Sequence, residues 1–257
     1  MNANRDLVED IRDYWSRRAE TFDLAFGHRI APGAEAAAWS QPMRAHLPAP
    51  PAHVLELACG TGEVTRLVHD LGHEVTALDF SEAMLTVARA KHAGKARLRF
   101  LHADAGQTME PDARYDAILC RHLVWTLVDP AAAFADWFRI LRPGGRLLIY
   151  DGDWSRPKPS GRWAAWLLTL WDRYSPDPHY DGATGEAHAT IMQRLPFGDG
   201  LSAARLAPML EAAGFAGVRV LPHTPIARAQ RRTNGLRNAL RTRVYDRFIM
   251  VAEKPAG

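Results

Sequence analysis

The sequence predicts an α/β protein with a ligand site at one edge of its sheet, and three observations carry that reading. The apolar run Val54-Leu55-Glu56-Leu57 passes through the small-residue turn Ala58-Cys59-Gly60-Thr61-Gly62 into an amphipathic segment, 63–71, ended by Gly72. A second run, Glu74-Val75-Thr76-Ala77-Leu78-Asp79, closes on an acid, and Ser81 is placed to cap the helix that follows. A third stretch, 97–105, alternates like a strand and carries another acid, Asp104, near its end.

The remaining elements follow in chain order. Residues 5–22 carry Leu7, Val8, Ile11, Tyr14, Trp15 and Phe22 at helical spacing, and a second helix is expected at 34–46 before the linker Pro48, Pro50 and Pro51. Asp129-Pro130 reads as a helix start, with the acid as cap and the proline in the first turn. The stretch 151–201 is too long for a connection, whose median is about 4–6 residues. Trp163, Trp166, Leu167, Leu170, Trp171 and Tyr174 in it share one helical face, predicting a helix at 160–174. Ser202 opens a further helix closed by Gly214, which Pro208 should start, kink or break. Residues 215–220 and 247–252 read as the last two strands. The expected organisation is an N-terminal helical cap (1–48), a core (52–150), an aromatic lid (151–201) and the end of the sheet (202–257).

Glycines let backbone amides approach a ligand closely, and a helix start favours polar or anionic groups. The turn at 58–62 therefore reads as a nucleotide-binding loop, with an ordinary α/β turn as the alternative. A dinucleotide fingerprint requires glycine where Thr65 stands, and a phosphate loop requires Gly-Lys-Ser/Thr where Glu63-Val64 follows Gly62. Asp79, 17 residues after Gly62, can accept hydrogen bonds from both ribose hydroxyls of an adenosine. Loop and acid together resemble the class I S-adenosylmethionine (SAM) dependent methyltransferases, with Ala58 at the first glycine of their motif. His102-Ala103-Asp104-Ala105, Tyr115 to His122, and Leu141-Arg142-Pro143-Gly144-Gly145 follow in that family's order.

The resemblance implies a Rossmann-like, doubly wound, seven-stranded sheet with its last strand antiparallel, N-terminal helices and an inserted helical lid. It places SAM, and its product S-adenosylhomocysteine, against Glu56, Ala58, Cys59, Gly60, Gly62, Asp79, Phe80, Met84, Asp104, Ala105 and Cys120. Asp104 is expected near the adenine amino group. Tyr14-Trp15 and Arg18-Ala19 resemble the family's segment across the cofactor pocket, so Tyr14 joins the cofactor set and Trp15 the acceptor set; packing on the sheet edge is the alternative. Arg121, Trp125, Trp154 and Trp171 complete the expected acceptor contacts, although an aromatic stripe also serves as plain packing. His122 is the candidate general base, against a positioning role in which its ring holds a backbone carbonyl. His179 and His188 are weaker candidates.

Composition agrees with a soluble enzyme of one α/β unit: 257 residues, 47% hydrophobic, 24% charged, net charge +3. No stretch approaches the roughly 20 apolar residues of a membrane span, and the start lacks a secretory signal, so a cytoplasmic protein is expected. Cys59 and Cys120 have no zinc-ligand spacing and read as small buried residues. Asp151 and Asp153 could suggest a divalent ion, but Asp-Gly-Asp is commoner as a turn, and no metal is expected. Seven arginines fall between Glu211 and Asp246; a solvated helix or loop face is the plainer reading, with a phosphate- or carboxylate-binding site as the alternative, and without aromatics at 226–244 nucleic acid is not expected. The Asn-Pro-Pro-Tyr signature of exocyclic-amine methylation is absent. The sequence therefore points to methyl transfer to N, O or S of a small molecule. RNA or protein methylation, and a non-catalytic SAM-fold module, are the alternatives.

Overall fold

The computed structural model describes residues 3–176 and 182–257. Its centre is a seven-stranded sheet in the order β3-β2-β1-β4-β5-β7-β6. The strands are β1 (His53–Leu57), β2 (Glu74–Asp79), β3 (Leu98–His102), β4 (Tyr115–Arg121), β5 (Leu141–Asp153), β6 (Ala216–Pro222) and β7 (Asp246–Glu253). Strands β1 to β5 are parallel, and β7 runs antiparallel to both β5 and β6. This is the doubly wound, Rossmann-like sheet with its last strand reversed. Strand order reverses between β1 and β4, the switch point outside which open α/β sheets bind ligands.

Helices cover both faces: α1 (Ala3–Ser16), α2 (Ala34–His46), α3 (Glu63–Asp70), α4 (Glu82–Lys91), α5 (Pro130–Ile140), α6 (Arg162–Tyr174), α7 (Gly182–Met192), α8 (Ala203–Ala212), α9 (Thr224–Thr233) and α10 (Leu236–Val244). Caps set several starts. The Ser81 hydroxyl accepts from the Met84 amide at 3.3 Å, and the Asp129 carboxylate from Ala132 at 3.0 Å. The central strands are apolar throughout because helices bury both their faces. Leu55, Leu57, Ile118 and Ile149 pack on one side with Phe134 and Trp137; Val54, Ala117, Leu119 and Tyr150 pack on the other with Trp39 and Met43.

Three expectations change. Pro208 neither starts nor ends α8, which runs through it from Ala203 to Ala212. The arginine-rich stretch forms two helices, α9 and α10, with Ile226, Ala229, Gln230, Thr242 and Val244 turned inward. The tryptophan helix α6 buries Ala164 and Leu168, whereas Trp163, Trp166 and Tyr174 are 48%, 62% and 88% exposed. Its small residues, not its large ones, face the protein. Among the described residues no helix is long and apolar enough to cross a membrane.

Candidate active site

A cavity of about 1290 Å³ opens at the carboxyl edge of the sheet. A single ligand pocket is typically ~300–1,000 Å³, so this one has room for a cofactor and a second molecule. One half is built by the loop after β1, the end of β2 and the loop after β3. Glu56, Ala58, Cys59, Gly60, Asp79, Phe80, Met84, Asp104 and Ala105 all line it.

Local backbone chemistry shapes this half. Ala58, Gly60 and Gly62 have φ of 51°, 54° and 84°, the left-handed region that costs a non-glycine residue about 1–2 kcal/mol. The loop is anchored by the Cys59 amide on the Leu78 carbonyl at 2.8 Å and the Gly60 amide on Asp79 Oδ2 at 2.8 Å. The Ser81 amide donates to the other Asp79 oxygen at 2.9 Å. Burial outweighs these bonds and raises the Asp79 carboxyl to about 6. Glu56 accepts from the Thr65 hydroxyl at 2.5 Å, and its burial raises it to about 8. Asp104 takes the Gly106 amide at 2.7 Å.

The segment after α1 closes the cavity from above. Phe22 and His28 stack at 3.9 Å, and Phe22 lies 3.5 Å from the point a Gly60 Cβ would occupy. Asp23 fastens this segment by accepting from the Thr61 hydroxyl at 2.6 Å and pairing with Lys91. Arg121 fastens its other end, donating to the Gly27 and His28 carbonyls at 3.3 and 2.7 Å.

The second half of the cavity is aromatic and basic. Trp15, Phe26, His122, Trp125, Trp154 and Tyr245 line it, with Arg247 and the inner side of α6. His122 follows β4 with φ of 57°. Its backbone is held by the Tyr150 carbonyl at 2.8 Å and by Trp125 Nε1, which donates to its carbonyl at 2.9 Å. Its ring meets Trp154 edge-on at 4.7 Å and lines the cavity. Burial, then the Arg121 and Arg247 charges, hold the imidazole well below its usual range. Trp154 is fixed by Asp151 Oδ1, which accepts from its indole at 2.9 Å.

The comparisons match this geometry. A family model described as a methyltransferase domain matches residues 55–149. A demethylmenaquinone methyltransferase of Clavibacter sepedonicus is 38% identical over 108 residues, 42% of this chain and 44% of that protein. One from Thermus thermophilus is 32% identical over 129 residues, 49% of this chain and 57% of that protein. The chain thus spans about half the length of these relatives.

Residues 55–149 are a class I SAM-dependent methyltransferase domain.

The fold of the whole chain agrees with the methyltransferase assignment. Phosphoethanolamine N-methyltransferase 2 of Haemonchus contortus, solved with SAM, superposes with a TM-score of 0.67 at 18% identity, over 99% of this chain and 60% of that one. Geranyl diphosphate C-methyltransferase of Streptomyces coelicolor gives 0.63 at 14% identity, over 96% and 98%. At such identities the likeness is one of fold. SAM is the cofactor of this methyltransferase family.

The expected residues divide. Glu56, Ala58, Cys59, Gly60, Asp79, Phe80, Met84, Asp104 and Ala105 meet in the cofactor half, and Tyr14 also lines the cavity. Gly62 does not line the cavity: a Cβ there would lie 2.7 Å from His92 Nε2, so its smallness serves the packing of α4 on the loop. Cys120 is fully buried in β4 and does not line it either. Trp171 is 37% exposed and turned away from the cavity. Arg121 lines the cavity but is engaged by backbone carbonyls. Among the described residues the His122 ring makes no bond to a backbone carbonyl; the loop is held by the His122 backbone. His188 does reach the cavity, 5.4 Å from the Trp125 ring, whereas His179 lies outside the described residues.

Asp151 is sequestered by the Val124 and Gly152 amides and the Trp154 indole. Among the described residues no group of three or more His, Cys, Asp or Glu could hold a metal. Sequence reasoning missed His28, Arg247 and Tyr245. Only Arg247 had a local signal, an arginine directly before the apolar run Phe248 to Ala252.

Proposed function

We propose that this protein transfers the methyl group of SAM to a small-molecule acceptor held in the aromatic half of the cavity. The observation that carries this is the continuity of one cavity from the Gly60–Asp79 cradle to the chamber around His122, Trp154 and Arg247. A cofactor in the first half would present its sulfonium methyl towards an acceptor in the second. The thioether is a good leaving group, so in-line placement of the acceptor does most of the chemical work.

The residues would divide the work as follows. Asp79 takes the ribose hydroxyls, Asp104 the adenine side, and the 58–60 loop the methionyl end. Trp15, Trp125 and Trp154 supply flat faces for the acceptor body. His122, neutral at pH 7, can take a proton from an acceptor whose nucleophile is not already free. Its depressed basicity makes it a weak base, which suits acceptors that need little deprotonation, such as a neutral amine or an already formed thiolate.

RNA and protein acceptors find less support. Arg237 pairs with Asp172, Arg231 donates to Thr242 at 3.3 Å and Arg243 lies 5.7 Å over Trp163. These arginines are tied to their own fold. The test is release of S-adenosylhomocysteine from labelled SAM across a metabolite library, with nuclease-treated protein alongside. Turnover with a small molecule is expected. SAM binding without turnover on any acceptor class would leave a binding module.

A further inference from the structure

Resting on the methyl-transfer reading above, we infer that the acceptor carries an anionic group, a carboxylate or a phosphate, and that Arg247 receives it. Arg247 is the second residue of β7 and lines the acceptor half of the cavity, paired in register with Gly152 of β5. Its guanidinium lies 5.2 Å from the Trp154 ring and 5.8 Å from the Phe26 ring, held between two aromatic faces. Among the described residues no carboxylate lies within ion-pair distance of it. Its hydrogen bond goes to a neutral atom, the Gln230 amide oxygen at 3.3 Å, while its Nε is buried without a partner. Gln230 in turn donates to Glu35 at 3.1 Å, so Arg247 is linked to that acid only through an amide.

A buried charge is costly unless it is paired and hydrogen-bonded. Most buried arginines meet an acid; this one meets a cavity. Arg121 adds a second cation in the same wall, spent on the carbonyls of Gly27 and His28. The acids on the acceptor side are already engaged: Asp172 with Arg237, and Asp151 with two amides and an indole. Among the described residues Arg247 therefore faces the chamber without an ion-pair partner, and the depressed histidines around it feel its charge. His122 and His223 are both pushed down by burial first and by the Arg247 charge among the further causes. An oxyanion entering beside Trp154 would supply the missing partner through a charge-assisted fork. The aromatic walls would hold an apolar or aromatic body attached to it.

The test is calorimetric, on protein saturated with S-adenosylhomocysteine, using benzoate, phenyl phosphate and benzamide as probes. Both anions are expected to bind at least tenfold more tightly than neutral benzamide, and the tighter of the two names the oxyanion. Arg247→Gln should erase that preference and Arg247→Lys should keep part of it. S-adenosylhomocysteine affinity should stay within twofold in both. Benzamide binding as well as the anions in the unaltered protein would overturn the inference, and needs no variant to fold. An anion preference that persists in folded Arg247→Gln would overturn the role of this arginine. Failure of S-adenosylhomocysteine to bind the unaltered protein would instead remove the methyl-transfer reading beneath it.

Discussion

The Gly60 amide donates to Asp79 Oδ2 at 2.8 Å, so the loop after β1 and the acid ending β2 form one unit. The Ser81 amide occupies the second oxygen from the other side. Ribose hydroxyls would meet a carboxylate whose position is already set, at little further ordering cost.

Asp79→Ala should therefore weaken SAM binding by about 2–4 kcal/mol, through loss of two charge-assisted hydrogen bonds and a looser loop. Asp79→Asn, which keeps one accepting oxygen, should lose less. Calorimetry on folded protein checks this, and unchanged affinity in Asp79→Ala would refute the ribose assignment.

Gly62→Ala should act on stability rather than on the cofactor. The residue has φ of 84°, and a methyl group would lie 2.7 Å from His92 Nε2. The expected cost is about 1–3 kcal/mol in urea denaturation, from left-handed strain and overpacking. Adding His92→Ala should restore only the steric share. The folded fraction should bind S-adenosylhomocysteine normally.

Cofactor binding should release protons. Burial raises Glu56 from 4.5 to about 8, so at pH 7 it holds its proton in the empty protein. The cationic sulfonium and ammonium of SAM favour its ionised form, and release approaching one proton is expected at pH 7. Calorimetry in buffers of different ionisation enthalpy measures this, and Glu56→Gln should abolish it.

The same acid makes stability depend on pH. A raised folded pKa means the native state holds a proton that the unfolded chain gives up. Glu56 therefore destabilises the empty protein progressively as pH rises from 4.5 to about 8. Melting temperature across that range should fall less steeply in Glu56→Gln.

His122→Gln should lower kcat about tenfold, with SAM affinity preserved. The imidazole is held well below its usual range, so it stays neutral and the rate should be flat from pH 6 to 8. A thousandfold loss, with a rate falling below a near-neutral pKa, would make the residue an essential base.

Two tryptophans separate the cavity wall from the outer surface. Trp154 stands edge-on to His122 at 4.7 Å, so Trp154→Leu should raise the acceptor KM severalfold and leave SAM affinity intact. Trp171, exposed and off the cavity, should change neither constant on replacement by alanine. Steady-state kinetics on both variants decides between them.

What could be read from sequence was local. Ser81 and Asp129 cap helices because a short polar side chain precedes an apolar periodic run, whereas α2 at 34–46 starts after Gly33 with no side-chain cap. The 58–62 turn and Asp79 sit where strand ends require them. What escaped depends on partners distant in the chain. Gly62 owes its size to His92, and Arg121 serves the carbonyls of Gly27 and His28. Neither pairing leaves a periodic trace. Cys120 escaped for another reason: both faces of a parallel sheet are apolar, so no alternation tells which side chain meets the ligand. In α6, alanines and a leucine look less decisive than tryptophans, yet they fit closest against α10 and the cavity.

Reversing a single strand has a consequence for how the cavity is assembled. Because β7 runs against β5, its first residues, Asp246 and Arg247, lie level with the last residues of β5, Asp153 and Gly152. The chain just ahead of β7 therefore emerges at the carboxyl edge of the parallel strands, and Arg241, Val244, Tyr245 and Arg247 line the same cavity as the loop after β1. A parallel last strand would deliver that segment to the opposite edge of the sheet, and this wall would have to come from elsewhere in the chain.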